Sequence, residues 1–362
     1  MLKTAPAVFA VGNEYEIMVS VTAEALFWVR VGDTCYYDES NGVMRSLSEL
    51  HRVKVPVEQL DKERQYTVCV RPLVERRPYF SETAEVQEFV FSFSPVPAQG
   101  ARLYHMADAH DRIDQPVQAA KTFGDIDLLI LNGDIISDSG DPARFHNIYE
   151  ICSRLTGGEH PTVFFRGNHD MRGGYAERFA EYTPNHLGNT YYTFRVGSLW
   201  GILLDCGEDK RDDCPEYGYT VRCREFRRRQ TAFIKDVITR SEQEYAAPGV
   251  TTRLVISHHP FTHKIHAPFD IEGEVYTEWA ALLKEHVKPH LMLCGHLHRL
   301  GVWEPGCEDD TYGQPCTVIV GSAVEENTHT GCGIVLNEGS ADVTFVDSDG
   351  NTVSKHAVIY GV

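Results

Sequence analysis

Five short polar motifs, each placed at the end of a short apolar run, constrain this chain more than any other feature. They are Asp108-Ala-His110, Gly133-Asp134, Gly167-Asn168-His169-Asp170, His258-His259-Pro260 and Gly295-His296-Leu-His298. The runs before them are Arg102-Leu-Tyr-His-Met-Ala, Asp127-Leu-Leu-Ile-Leu-Asn, Pro161-Thr-Val-Phe-Phe-Arg, Arg253-Leu-Val-Ile-Ser and His290-Leu-Met-Leu-Cys. Near-continuous apolar character over so short a span predicts strands buried on both faces. Between them, about 142–155, 224–242 and 277–287, apolar residues recur at three- and four-residue spacing, as in Phe226, Ala232, Phe233 and Val237. That spacing predicts helices. Strands covered by helices make a layered α/β architecture, and open α/β sheets bind ligands at the carboxyl ends of their strands.

Residues 1 to 96 read differently. Glu14-Tyr-Glu-Ile-Met-Val-Ser-Val, Ala25-Leu-Phe-Trp-Val-Arg-Val and Gln65-Tyr-Thr-Val-Cys-Val-Arg-Pro alternate apolar and polar residues between turn residues. Period-two spacing without a convincing helix predicts an all-β sandwich of the immunoglobulin or fibronectin-III kind over 1–96. Ser94-Pro-Val-Pro-Ala-Gln-Gly100 then reads as a linker to a second domain over 97–362. Strand character returns after Cys316, with Asp347-Ser-Asp-Gly-Asn351 as a hairpin turn.

At 362 residues two domains are the better expectation. A formal charge of −18 argues against a nucleic-acid surface, which needs clustered Lys and Arg. The Arg227-Arg228-Arg229 run is read as a solvated helix face within an acidic chain. There is no apolar run long enough to cross a membrane, and the start, MLKTAPAVFAVGNEYE, lacks the charged and apolar regions of a signal peptide. Ten scattered cysteines without a Cys-x-x-Cys pair fit free thiols in a reducing cytoplasm. A Cys307–Cys316 or Cys206–Cys214 bridge is the alternative.

The motifs supply carboxylate and amide oxygens and imidazole nitrogens, donors suited to Mn, Fe, Zn or Co ions. Two such ions about 3.5–4 Å apart form a clamp for in-line attack on phosphorus. In order and composition the motif set, D-x-H, G-D, G-N-H-D, H and G-H-x-H, resembles the calcineurin-like metallophosphoesterases over roughly 102–325. A sandwich ahead of such a domain also resembles the layout of purple acid phosphatases.

The resemblance implies a layered β-sandwich core flanked by helices and a centre of two divalent ions. Asp108, His110, Asp134 and His298 would hold one ion; Asp134, Asn168, His258 and His296 would hold the other, with Asp134 bridging. Water between the ions would lose a proton readily and attack phosphorus of a small phosphomonoester or phosphodiester. His169 would contact phosphate or protonate the leaving oxygen, and Asp170 would orient the turn or an imidazole. The His258-His259 doublet leaves either ring as ligand, with His258 nearer the strand end.

Two positions depart from the family pattern. The purple enzymes carry a tyrosine ligand where this chain has Ser137, so the colour-giving phenolate is absent. Other members place an Asp there to support the catalytic His; here the carboxylate is Asp138, one residue late, and serves only if the backbone bulges. His263, His266 and His329 are read as solvated loop histidines, Cys294 as core, and Arg299 as either a phosphate contact or a surface ion pair. A scaffold that binds partners on a degenerate phosphoesterase fold is the competing reading. A complete ligand set speaks against it.

Overall fold

In the computed structural model, which describes residues 1–263 and 266–360, two sheets face each other across one apolar core. The larger sheet runs, in spatial order, Thr352–Ile359, Ser340–Asp347, His329–Asn337, Arg102–Met106, Leu128–Asn132, Thr162–Phe165, Ala7–Val11, Glu14–Ser20 and Leu50–Pro56. The second runs Thr193–Val196, Leu199–Leu203, Thr252–Ile256, Leu291–Cys294, Thr317–Val320 and Gly301–Trp303. Leu103, Leu129 and Leu131 from the first meet Leu254, Ile256 and Leu293 from the second in the same core.

Every motif-bearing strand pairs in parallel within its sheet. Met106 lies beside Leu131, Asn132 beside Phe165, and Ile256 beside Leu293. Parallel pairing brings all five carboxyl ends to one rim, so residues more than 150 positions apart in sequence, such as Asp108 and His298, become neighbours. The helices Asp114–Phe123, His146–Thr156, Cys223–Thr239 and Gly273–Leu282 provide the crossovers that parallel strands require. The last three match the expected helical spans within a few residues; the first follows the Asp108 motif and is not among the expected spans.

The expected break at residue 96 divides neither sheet nor core. Ala7–Val11 pairs in parallel with Thr162–Phe165 through Phe9 and Thr162, and Glu14–Ser20 and Leu50–Pro56 extend the same sheet. Over this extension lies a smaller sheet of Gln87–Ser92, Gln65–Glu75, Ala25–Val31 and Thr34–Tyr37, with Phe27 stacked on His51 between the two layers. The physical reason is legible in Ala7-Val-Phe-Ala-Val: all five residues are buried. A strand apolar on both faces needs cover on both sides, which the interior of a large sheet provides.

Three further readings change. Arg227 is buried inside the molecule, donating through Nε to the Cys206 carbonyl at 2.6 Å, while Arg228 and Arg229 stay exposed. His263 and His329 are buried and His266 is exposed; the His329 ring lies 3.0 Å from the Ala107 carbonyl, beneath the first motif. All ten cysteines are unbridged. Among the described residues no helix is long and apolar enough to cross a membrane.

Candidate metal centre

At the shared rim the backbone turns sharply after each strand. Gly133 has φ +79°, and a Cβ there would stand 2.6 Å from the Gly167 backbone and from His258 Nδ1. Only glycine lets these two loops come so close. Asp170 ties them together: its buried carboxylate accepts the Gly167 N–H at 2.7 Å and the Asp134 N–H at 3.0 Å. It therefore orients the turn and not an imidazole. Burial and the charge of Asp134 push its carboxyl up to about 7.

The expected ligands converge in neighbouring groups, two of which contain Asp134. Asp108, His110 and His298 bring donor atoms within 4.8 Å of one another, as do Asp134, His258 and His296. His110 and His169 also gather around Asp134. The Nε2 atoms of His110 and His298 lie 3.3 Å apart, and His298 Nε2 is 3.4 Å from Asp108. The Asn168 side-chain oxygen has His296 Nδ1 at 3.1 Å and His259 Nε2 at 3.3 Å.

For the doublet, His258 reaches the carboxylates, at 3.1 Å from Asp134 and 3.7 Å from Asp108. Its Nδ1–H donates to the Asn132 carbonyl at 2.7 Å, which leaves Nε2 as the inward-facing donor. His259 approaches the amide of Asn168, packs against the His296 ring at 4.0 Å between centroids, and reaches neither carboxylate. The two rings thus stand on the same side of the centre, and the ring nearer the strand end faces the carboxylates.

Electrostatics fit a cation at this place. Asp108, Asp134, Asn168 and His258 are buried, and among the described residues neither aspartate pairs with Lys or Arg. Burial alone would raise the Asp134 carboxyl, but the adjoining His258 holds it well below the usual range. Burial likewise opposes charge on His258, yet Asp134 and Asp108 push that imidazole up to about 10. Two buried carboxylates that must borrow protonated imidazole as countercharge match a site built for divalent cations. The residues present fit such ions.

His169 stands beside this group. Its backbone N–H donates to Asp134 Oδ1 at 2.9 Å, and its ring packs edge-on to His110 at 4.7 Å between centroids. Nδ1–H donates to the Ser137 carbonyl at 3.0 Å, so Nε2 is the acceptor, 3.1 Å from Arg172 Nη1. Asp138 does not reach this ring. No bulge forms; its carboxylate takes the Gly140 N–H and the Arg144 guanidinium, each at 2.8 Å. The main-chain oxygen of Ser137 occupies the supporting place expected of Asp138. Arg299 lies over Trp303 and 3.5 Å from Asp309, which is the ion-pair alternative of its two readings.

Sequence reasoning missed Arg172 and Glu208. Arg172 follows His169 by one turn, a spacing that could have flagged it; Glu208 lies in an irregular loop, where no periodicity marks it.

The family model for calcineurin-like phosphoesterases matches residues 101–300, more than half of the chain and all five motifs. A probable cyclic nucleotide phosphodiesterase of Rhodopseudomonas palustris is 27% identical over 222 residues, covering 57% of this chain and 70% of that protein. A purple acid phosphatase from yellow lupin (Lupinus luteus) seeds matches with a TM-score of 0.63 across 100% of this chain and 75% of its own, at 12% identity, a likeness of fold.

Proposed function

The chain belongs to the calcineurin-like phosphoesterase family, and from that premise we propose that it hydrolyses small phosphate esters with two divalent ions at the strand rim, phosphodiesters first among them. The observation that carries this reading is the place of Asp134, which gathers with His110 and His169 on one side and with His258 and His296 on the other, next to the group of Asp108, His110 and His298. Asp108, His110, Asp134 and His298 would hold one ion, and Asp134, Asn168, His258 and His296 the other. Ions bound there supply Lewis acidity, acidifying water and neutralising phosphoryl oxygens.

The chain's own residues do the rest. Asp170 and the Ser137 carbonyl fix the loops and the His169 ring before substrate arrives, so no ordering cost falls on the reaction step. His169 Nε2, the ring nitrogen not tied to the backbone, would exchange a proton with the leaving oxygen once substrate displaces its contact with Arg172. The diester preference follows the relative from Rhodopseudomonas palustris, whose name specifies cyclic nucleotides.

Elemental analysis of purified protein, followed by a panel of Mn, Fe, Zn and Co against an aryl phosphomonoester, an aryl phosphodiester and cyclic nucleotides, tests this. Two ions per chain and metal-dependent diester turnover are expected, with both lost in Asp134→Asn. Undiminished turnover by Asp134→Asn at saturating metal would refute the shared-ligand reading.

A further inference from the structure

We propose that Arg172 is a phosphoryl-binding residue beside His169, and that Glu208 is the positioning residue that presents it. The proposal rests on the phosphoesterase reading above.

The geometry begins with Glu208, which is fully buried. A buried carboxylate is costly unless it is paired, and Glu208 takes the side-on edge of Arg172, with Nε at 3.1 Å and Nη2 at 3.0 Å. This fork-to-fork pairing fixes the plane of the guanidinium as well as its position. Glu208 is itself held from behind. The buried Arg227 donates to the carbonyls of Cys206 and Glu208, and the Glu208 N–H points at Cys223 Sγ at 3.3 Å. A rigid helix, Cys223–Thr239, therefore anchors the loop, the loop anchors Glu208, and Glu208 aims Arg172.

What is aimed is only partly used. An arginine side chain has five N–H groups. Two bind Glu208 and one points at His169 Nε2. One hydrogen on each terminal nitrogen is left without an acceptor at hydrogen-bond distance among the described residues, although Asp209 Oδ1 lies 3.8 Å from Nη2. The Arg172 side chain is about a quarter exposed, 26%, whereas the side chain of Glu208 is at 0%. An ion pair serving packing alone would bury both heads. Here the cationic face opens toward the imidazole that stands against His110 and Asp134. Two spare N–H groups on a planar, permanently charged head suit two oxygens of one phosphoryl group.

The test uses the metal-loaded, full-length protein and two independent readouts: binding of inorganic phosphate by calorimetry, and KM and kcat on an aryl phosphodiester. For Arg172→Ala, phosphate affinity is expected to fall about 10- to 100-fold, with KM rising in step, because charge-assisted hydrogen bonds are lost. Metal content should stay at the wild-type level. Arg172→Lys should keep part of the affinity, as a point charge without the fork. Added guanidinium ion should restore binding to Arg172→Ala, a response that a merely structural role would not give. Glu208→Gln should weaken phosphate binding less than Arg172→Ala does.

Phosphate affinity within twofold of wild type in a folded, metal-replete Arg172→Ala protein would overturn the proposal. Arg172→Lys decides in the same way if the alanine variant does not fold. Failure of the wild type to hydrolyse any ester would strike the phosphoesterase reading instead, while the phosphate-binding arm still decides the role of Arg172.

Discussion

Replacing Asp170 separates the fastening of the metal loops from the metal itself. Asp170→Ala leaves the Gly167 and Asp134 N–H groups buried without their acceptor. Each orphaned donor costs about 1–3 kcal/mol, so the metal-free protein should lose about 2–6 kcal/mol of stability. Asp170→Asn keeps an oxygen in the same place and should stay within about 1 kcal/mol of wild type at about pH 4, where the buried carboxyl holds its proton. A pH signature accompanies this. Burial and Asp134 raise the Asp170 carboxyl from its ordinary 3.8 to about 7 in the folded state. The folded state then binds this proton more tightly than the unfolded chain, so metal-free stability should decline as pH rises from about 4 to 7. Asp170→Asn should remove that decline. Urea denaturation of metal-stripped protein at several pH values measures both effects, with elemental analysis reporting whether Asp170→Ala still retains two ions. Equal stability of the alanine and asparagine variants would show that the two N–H groups find other acceptors and that Asp170 fastens nothing.

Other expectations follow from the same geometry. His169→Ala should lower kcat on esters with poor leaving groups by about 10²–10⁴ while sparing those with acidic leaving groups; equal damage to both, with loss of an ion, would make His169 a ligand. Asp138→Ala should show no leaving-group dependence, because its carboxylate serves Gly140 and Arg144; a profile resembling that of His169→Ala would contradict the assigned contacts. Iron-loaded protein should lack a strong visible charge-transfer band, since Ser137 stands where the purple enzymes carry tyrosine. His258, held up to about 10 in the metal-free fold, stabilises that fold below pH 6.5, a contribution lost as pH rises through about 10. Metal uptake at pH 8 should therefore release its proton, read by calorimetry in buffers of different ionisation enthalpy; a heat independent of buffer would show His258 already neutral.

Much of this arrangement was legible in the chain because parallel strands leave a simple trace. A buried strand such as Leu128–Asn132 is apolar throughout, and the first polar residue after it sits at the rim. That trace places the five motifs at one rim, while the assignment of individual ligands rests on the resemblance to the calcineurin-like family. The N-terminal boundary was misplaced by the same logic applied too locally. Glu14–Ser20 and Ala25–Val31 were read by alternation, while the uninterrupted Ala7–Val11 went unweighed, and it is the strand that joins the central sheet. Arg227 shows a further limit. A run of three arginines is read by its charge, but one in an amphipathic helix points inward, and the carbonyls of a distant loop together with the Glu272 carboxylate, 3.6 Å from Nη1, make that place tolerable.

The sequence is also silent on how the ligands are aimed. Asp108, His110, Asp134, His296 and His298 all adopt left-handed backbone, with φ of 54°, 47°, 52°, 69° and 49°. A residue other than glycine in a sparsely populated backbone region costs on the order of 1–3 kcal/mol, and no capping or turn signal in the motifs announces it. Five such residues at one rim persist because the strands behind them, the glycine contacts and the Asp170 bridge over-determine the loops. In that conformation these five residues follow the ends of their strands at the shared rim. The close approach of Asp108 and Asp134 to the same imidazole, that of His258, is thus maintained by the scaffold. Ions held there would find their donors already gathered, with the cost of assembling them met by the folded core.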